Sequence, residues 1–439
     1  MLNNPSAIAT VKPSAAKYAQ LGFLKIAESA CRQHGDKVWI GEQEHAVLLL
    51  AGARHLRFFL ENESSFHKEL DNGASVRRLL LGQSLITARE GEEWHLARKL
   101  TTPLVNPKSA LLKQGTRLSA QWLVDTLHAP EKNSMQEICL QWALMCVAQG
   151  FVGARLGYQQ LDELINHFRR IYLQLIVAEP TEDYAVLSQH PALVMFREAL
   201  ESMIGPLVTS ANADAGDGDV DMLVRFCQAL DVSAHPQERE RAISLLLGNL
   251  VASVDNTGIA LLWCLAHLSQ HPHYQDQVRE ESRQGKRDMA IAIVKESLRI
   301  TPVTAFFERG TLDPLEIDGV EIAAGTKVLF SPWLVHRNAA YWPEPLSFRP
   351  ERFLEGRKIP REHFVPFSMG KRNCVGMALA LDQLTTAVEA LCSHCRFSLA
   401  PSTAPAALTP LYGLNVMPRG PICFTIESVD RVSQHECIA

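Results

Sequence analysis

Apolar and polar positions along the chain fall into successive regimes, each predicting a different kind of element. Residues 1–20 form a polar leader, followed by a helical stretch from Lys25 to His34. The apolar runs KVWI and HAVLLLAG that come next predict strands. Residues 94–300 repeat apolar positions at three- and four-residue spacing and contain few prolines, which predicts helices. Residues 301–375 hold much of the proline, a strand-like VEIAAGTKVLF and then a long irregular stretch. Helical periodicity returns at 376–396, and 397–427 reads as short strands. Helical and strand segments occupy different parts of the sequence instead of alternating. The pattern therefore predicts a mainly α, α+β fold in preference to a βαβ repeat. No internal repeat is present.

Composition narrows the classes. The chain has 439 residues, 47% of them hydrophobic and 21% charged, enough apolar surface for a large core and too few charges for general disorder. Length alone allows about three domains. A net charge of −5 excludes an overall electrostatic footprint for nucleic acid or anionic membrane. The N-terminal segment lacks the apolar core of a signal peptide, and no uninterrupted apolar run is long enough to span a bilayer, so a soluble cytoplasmic protein is expected. Ten cysteines scattered over this length are no disulfide framework, and Cys392-x-x-Cys395 is a lone pair without a second. The acidic, Gly-rich stretch 212–221 lacks a calcium-loop register and reads as a solvated loop. No Gly-x-Gly-x-x-Gly or Walker loop marks a nucleotide site.

The chemistry concentrates at FVPFSMGKRNCVG (364–376). Phe367, Gly370, Arg372, Cys374 and Gly376 match Phe-x-x-Gly-x-Arg-x-Cys-x-Gly. Gly370 permits a tight turn under a flat ligand, and Arg372 can pair with a carboxylate on it. Cys374 precedes an apolar-periodic helix, whose free N–H groups stabilise a thiolate. Gly376 lets the following backbone approach closely. This loop resembles that of the cytochrome P450 family, whose haem iron takes an axial cysteine thiolate. Further segments resemble the family in order, from about Trp94 to Pro418. Glu296 and Arg299 are three apart on one helix face, with apolar flanks, and Arg352 lies in FRPERF. The resemblance makes Glu296, Arg299 and Arg352 the family's structural triad, which holds the meander (336–353) below the haem. Trp94 and Arg98, four apart, are donors suited to haem propionates, with Arg309 a further candidate. The fold implied is one mainly helical haem domain with small sheets, over 1–439, and the cofactor implied is haem b with Cys374 as its iron ligand.

The segment 242–268 is apolar almost all round, as in a helix buried in a protein or a membrane, and Asp255 and Asn256 argue against a bilayer. The resemblance makes it the oxygen-binding helix, but with a departure. Family members usually carry Ala/Gly-Gly-x-Asp/Glu-Thr-Thr, where this chain has Ala252-Ser253-Val254-Asp255-Asn256-Thr257. Asn256 stands where the first Thr is expected. An amide donates and accepts but cannot relay a proton as a hydroxyl does. Thr257 lies about 100° around an ideal helix and needs a bulge to replace it. Asp255 remains as the acid for proton delivery. Asn249, Ser253 and Asn256 share one stripe, which predicts a polar strip toward substrate or water, or satisfied helix packing.

The function implied is a haem-thiolate monooxygenase that activates dioxygen to oxidise, mainly by hydroxylation, a small organic substrate. Secondary metabolism is compatible with a soluble member. The departure at Asn256 leaves coupling, cyclisation or rearrangement as an alternative, and a haem sensor without turnover as a third. Electrons would come from a separate ferredoxin or flavodoxin with its reductase. Arg77, Arg78, Lys99, Lys108 and Lys371 are candidates for a basic docking face. A substrate held on a carrier protein is a further possibility. By family position the pocket candidates are Leu85, Ile86, Ala252, Ser253, Val303, Thr304, Phe306, Leu411 and Tyr412. Residues 177–185 are too acidic and proline-broken for a membrane-dipping element.

Overall fold

The computed structural model describes residues 8–42, 46–68, 84–88, 90–128, 134–152, 236–354, 356, 358–413 and 415–429, with isolated helical positions between 163 and 202. Arg77, Arg78, Cys227 and the stretches 177–185 and 212–221 lie outside the described residues. The chain divides into two compact units, one built from 1–69, 263–374 and 397–425, the other from 70–262, 375–396 and 426–439.

The first unit is organised on a six-stranded sheet in the order β1-β2-β3-β8-β5-β4. Its strands are β1 (Thr10–Val11), β2 (Lys37–Ile40), β3 (Val47–Leu50), β4 (Phe66–His67), β5 (Phe307–Thr311) and β8 (Lys327–Phe330). β3 pairs antiparallel with β2, Val38 opposite Leu49, and parallel with β8, Leu49 opposite Leu329. Successive side chains of a strand point to opposite faces. Leu48 and Leu50 accordingly enter a core with Phe59, Phe66, Phe307 and Phe330, while Leu49 enters another with Leu24, Ala27, Phe306 and Trp333. A strand covered on both faces explains why LLL is a continuous apolar run rather than an alternating one. The hairpin β6 (Leu315–Ile317) and β7 (Val320–Ile322) turns through Asp318 and Gly319, both at positive φ (51° and 75°). That left-handed pair suits an Asp-Gly hairpin turn. Arg54 and His55 bind the Asp318 carboxylate and hold it down at about 2 against the cost of burial.

Helix α1 (Ala15–His34) begins ten residues before Lys25, so the polar leader does not extend to residue 20. Ser14 is the reason: its side chain accepts from the Lys17 N–H and caps the helix. Gly22, at φ 70° and ψ 162°, breaks the helix internally. The unit also holds α2 (Ala53–Glu61) and, further along the chain, α7 (Pro272–Arg283), α8 (Asp288–Ile300) and α9 (Pro332–His336). The hairpin of β10 (Pro410–Tyr412) and β11 (Val416–Pro418) pairs Tyr412 with Val416.

The second unit is helical, with α3 (Glu92–Leu104), α4 (Ala110–His128), α5 (Met135–Val152), α6 as far as Leu262, and α10 (Met377–His394). Helix α6 runs Pro236–Ser269, beginning six residues before the expected 242. By length and composition alone, Gln237–Ser269 could cross a membrane, and 62% of its most apolar window is covered by the chain itself. Gly258 of α6 lies so close to α5 that a Cβ there would stand 3.0 Å from the Cys139 carbonyl oxygen. Gly248 presses on Ser84 in the same way, which seats Leu85 and Ile86 beside this helix.

Candidate active site

The cysteine loop grows from the core of the first unit. Val365 and Met369 are buried in the Phe59–Phe330 cluster, so alternate apolar residues pin the segment before Cys374. The Cys374 N–H donates to the Phe367 carbonyl (2.9 Å), and the Asn373 N–H to the Gly370 carbonyl (3.1 Å). Two left-handed residues, Ser368 (φ 59°) and Gly370 (φ 77°), make the turn possible. A Cβ on Gly370 would also overlap the Glu63 carboxylate and stand 3.1 Å from the Phe59 ring. Glu63 accepts from the Lys371 N–H and fastens the turn. Helix α10 opens at Met377, three residues after Cys374.

Among the described cysteines, Cys374 and Cys423 are exposed. Burial pushes the thiols of Cys31, Cys146 and Cys264 up to about 12. Cys392 and Cys395 are buried as well. A thiolate that ligates a metal must be reachable and able to lose its proton. A soft sulfur donor on a tightly turned, core-anchored loop fits iron ligation.

Arg299 and Glu296 are both fully buried. Arg299 donates through Nε (2.7 Å) and Nη2 (2.9 Å) to the two Glu296 oxygens, a bidentate pair. Glu296 also accepts from the Arg349 N–H (2.8 Å) and from Arg352 Nε (3.3 Å). Arg299 reaches onward to the carbonyls of His336, Pro345 and Ser347. Glu296 and Arg299, picked out by spacing, and Arg352, picked out by resemblance, are thus joined through the Glu296 carboxylate, and they tie α8 to the meander.

Helix α6 is regular α through 252–258, with no bulge. Asn256 is exposed, whereas Thr257, one step around, is 6% exposed. Nothing rotates Thr257 into the position of Asn256. Two members of the polar stripe hydrogen-bond back to the helix itself: Ser253 Oγ donates to the Asn249 carbonyl (2.7 Å) and one Nδ2–H of Asn256 to the Ala252 carbonyl (2.6 Å). Asp255 is half-buried.

The remaining predicted residues fall into local groups. Arg309 is buried, its guanidinium over the rings of Phe59 (5.4 Å) and Phe307 (5.1 Å). Phe59 therefore touches both Arg309 and the Gly370 turn. Arg372 is half-buried on the loop, and Gly376 precedes α10. Trp94 is buried and Arg98 half-buried on α3. Val303 and Phe306 meet the β10–β11 hairpin: the Val416 N–H donates to the Val303 carbonyl (2.8 Å), and Phe306 stacks edge-on against Tyr412 at 5.2 Å; Thr304 between them is half-buried. Leu411 of the hairpin is exposed. Pattern reading missed Phe23, which packs on Phe306 (5.1 Å) and Tyr412 (6.3 Å), and Glu63. Lys99, Lys108 and Lys371 are exposed.

In family and fold the chain is similar to known proteins. The family model for cytochrome P450 matches residues 19–424. Cytochrome P450 4d2 of Drosophila melanogaster is 25% identical over 438 aligned positions, covering 87% of this chain and 84% of that protein. Bovine cytochrome P450 2U1 is 34% identical over 190 residues, which is 39% of this chain and only 35% of the relative's length. The solved structure of CYP175A1 from a Thermus strain superposes with a TM-score of 0.73 at 22% identity, covering 94% of this chain and 98% of that one. That likeness is one of fold: helical, with small sheets. The family is one of haem-thiolate proteins with an iron-ligating cysteine. On the matched span and the shared fold, the chain belongs to the cytochrome P450 family.

Proposed function

We propose that the chain is a haem-thiolate monooxygenase, working as a single haem domain over 1–439 and oxidising a small organic substrate with electrons from a separate redox protein. The exposed Cys374, on a loop that its own N–H closes and that Val365 and Met369 bury, carries the reading. When bound, haem would supply dioxygen activation, with Cys374 as the thiolate that would hold its iron.

The chain's own residues do the rest. Cys374 presents the thiolate, and Gly370 keeps the turn beneath it free of a side chain. Arg372 and Arg309 are the proposed propionate partners of the first unit, and Trp94 and Arg98 those of the second. Asp255 holds the proton to be delivered, and Asn256 puts an amide, one N–H of which is bonded to the Ala252 carbonyl, where the family usually has a hydroxyl. Glu296, Arg299 and Arg352 serve structure rather than chemistry. Val303, Thr304, Phe306, Leu411 and Tyr412 are the proposed substrate-selecting residues of the first unit, and Leu85, Ile86, Ala252 and Ser253 those of the second. A ferredoxin or flavodoxin with its reductase supplies electrons, and the exposed Lys99, Lys108 and Lys371 are the cations proposed to meet it. A cytoplasmic place in secondary metabolism, on a free or carrier-bound substrate, completes the proposal.

One observation favours a second reading. Asn256 has no hydroxyl to relay a proton, and one of its two amide N–H groups is already bonded to the Ala252 carbonyl, so coupling, cyclisation or rearrangement is the alternative outcome. Turnover under labelled dioxygen decides between them. Label in the product supports insertion; product without label, at full substrate consumption, refutes insertion in favour of the second reading.

A further inference from the structure

His336 stands between the buried Glu296–Arg299 pair and the start of the cysteine loop, and its ring is completely buried. Its Nε2 accepts the Val365 N–H at 2.8 Å. Its backbone carbonyl accepts from Arg299 Nη1 at 2.7 Å. The ring stacks on Phe364, centroids 5.5 Å apart and 27° from parallel. An Nε2 that accepts puts the proton of the neutral ring on Nδ1. Nδ1 is enclosed and closes no hydrogen bond of ordinary geometry. The nearby acceptors are the Leu298 and Arg299 carbonyls, in the last turn of α8. Those carbonyls have no partner within the helix. Burial, with Arg299 and Arg337 adding repulsion, keeps the ring neutral, down to about 3. A protonated ring would turn a second donor on the Val365 N–H, so the neutral form is the one this contact requires.

We propose that His336 is a positioning residue for the thiolate loop, an imidazole strut that takes the Val365 N–H on one side and faces the C-terminal carbonyls of the triad helix on the other. Val365 follows Phe364, which the ring stacks against, and precedes the Phe367 carbonyl that receives the Cys374 N–H. The strut thereby carries the rigidity of the Glu296–Arg299 pair into the segment that sets the height of Cys374. The inference rests on Cys374 as the iron ligand. Neither spacing nor composition points to His336, because its partners are 29 and 37 residues away.

His336→Leu keeps apolar bulk and removes the acceptor, while His336→Gln places a carbonyl oxygen near the position of Nε2. Amide exchange of peptides spanning 364–369 in the haem-loaded protein should quicken roughly tenfold for Leu and stay near the parent rate for Gln. The ferrous carbonyl Soret band, which separates thiolate from neutral-thiol ligation, should show a larger neutral-thiol share for Leu and recovery for Gln. Unchanged exchange and an unchanged band in the Leu variant would overturn the proposal. Equal disturbance by Leu and Gln would also overturn it, since packing alone would then explain both. Where His336→Leu does not fold, His336→Asn, whose amide stops short of Val365, takes its place in the same comparison. Error in the ligand assignment shows separately, as a Cys374→Ser protein that keeps the thiolate-type band.

Discussion

Glu296→Gln should cost more stability than any other single isosteric change in the first unit. Glu296 is wholly buried and accepts from Arg299 twice, from the Arg349 N–H and from Arg352. Glutamine keeps the volume and one acceptor, but it turns an N–H₂ against a guanidinium and leaves Arg299 charged in the interior. Removing one partner of a buried pair costs about 3–5 kcal/mol. Arg299 retains the carbonyls of His336, Pro345 and Ser347, which places the expected loss near ~3 kcal/mol. Arg352→Gln should cost less, because it holds Glu296 through a single 3.3 Å contact. Urea unfolding followed by both fluorescence and circular dichroism gives the numbers, provided the two transitions coincide. Haem content of the purified variant should fall in parallel, because the pair anchors the meander. A loss below ~1 kcal/mol with full haem content would refute the reasoning, since a value that small belongs to a solvated surface pair.

Gly370→Ala should lower haem incorporation and cost about 1–3 kcal/mol, from a left-handed φ of 77° and overlap with the Glu63 carboxylate; an alanine protein of parental melting temperature would refute it. Acid should destabilise the fold earlier than carboxylates alone would. Burial depresses His267 and His336 to about 3, so between the ordinary histidine value near 6.5 and about 3 the unfolded chain binds protons that the folded one does not. Stability present above that window therefore falls with pH at about 1.4 kcal/mol per unit for each ring. Stability curves at pH 7 and pH 5 check this, and a flat response would contradict it. Asn256→Thr should raise the ratio of product formed to reductant consumed, by restoring a hydroxyl at that position; an unchanged ratio would show that position 256 takes no part in proton delivery.

Local patterns were legible and long-range partners were not. Three-residue spacing put Glu296 and Arg299 on one face, but the Arg349 N–H on Glu296 and the three carbonyls around Arg299 come from segments 37 to 53 residues away. The loop residues carried their chemistry in their order, and Gly370 announced a turn. That the turn packs on Glu63, 308 residues distant from Lys371, has no local signature. The start of α1 was misplaced because apolar periodicity weakens before Gly22, while a single Ser14 cap suffices to begin the helix. In α6 the stripe Asn249–Ser253–Asn256 was visible. Its bonds back to the preceding turn are local, and the habit of serine and asparagine to bind the carbonyl four residues earlier could have anticipated them.

The central claim is that Cys374 binds the iron. Cys374→Ser and Cys395→Ser, each loaded with haem, should be compared in the ferrous carbonyl spectrum with the parent protein. The buried Cys395 serves as the control. A thiolate-type band is expected in the parent and in Cys395→Ser, and its disappearance in Cys374→Ser. A thiolate-type band that survives in Cys374→Ser, or is lost in Cys395→Ser alone, would contradict the claim.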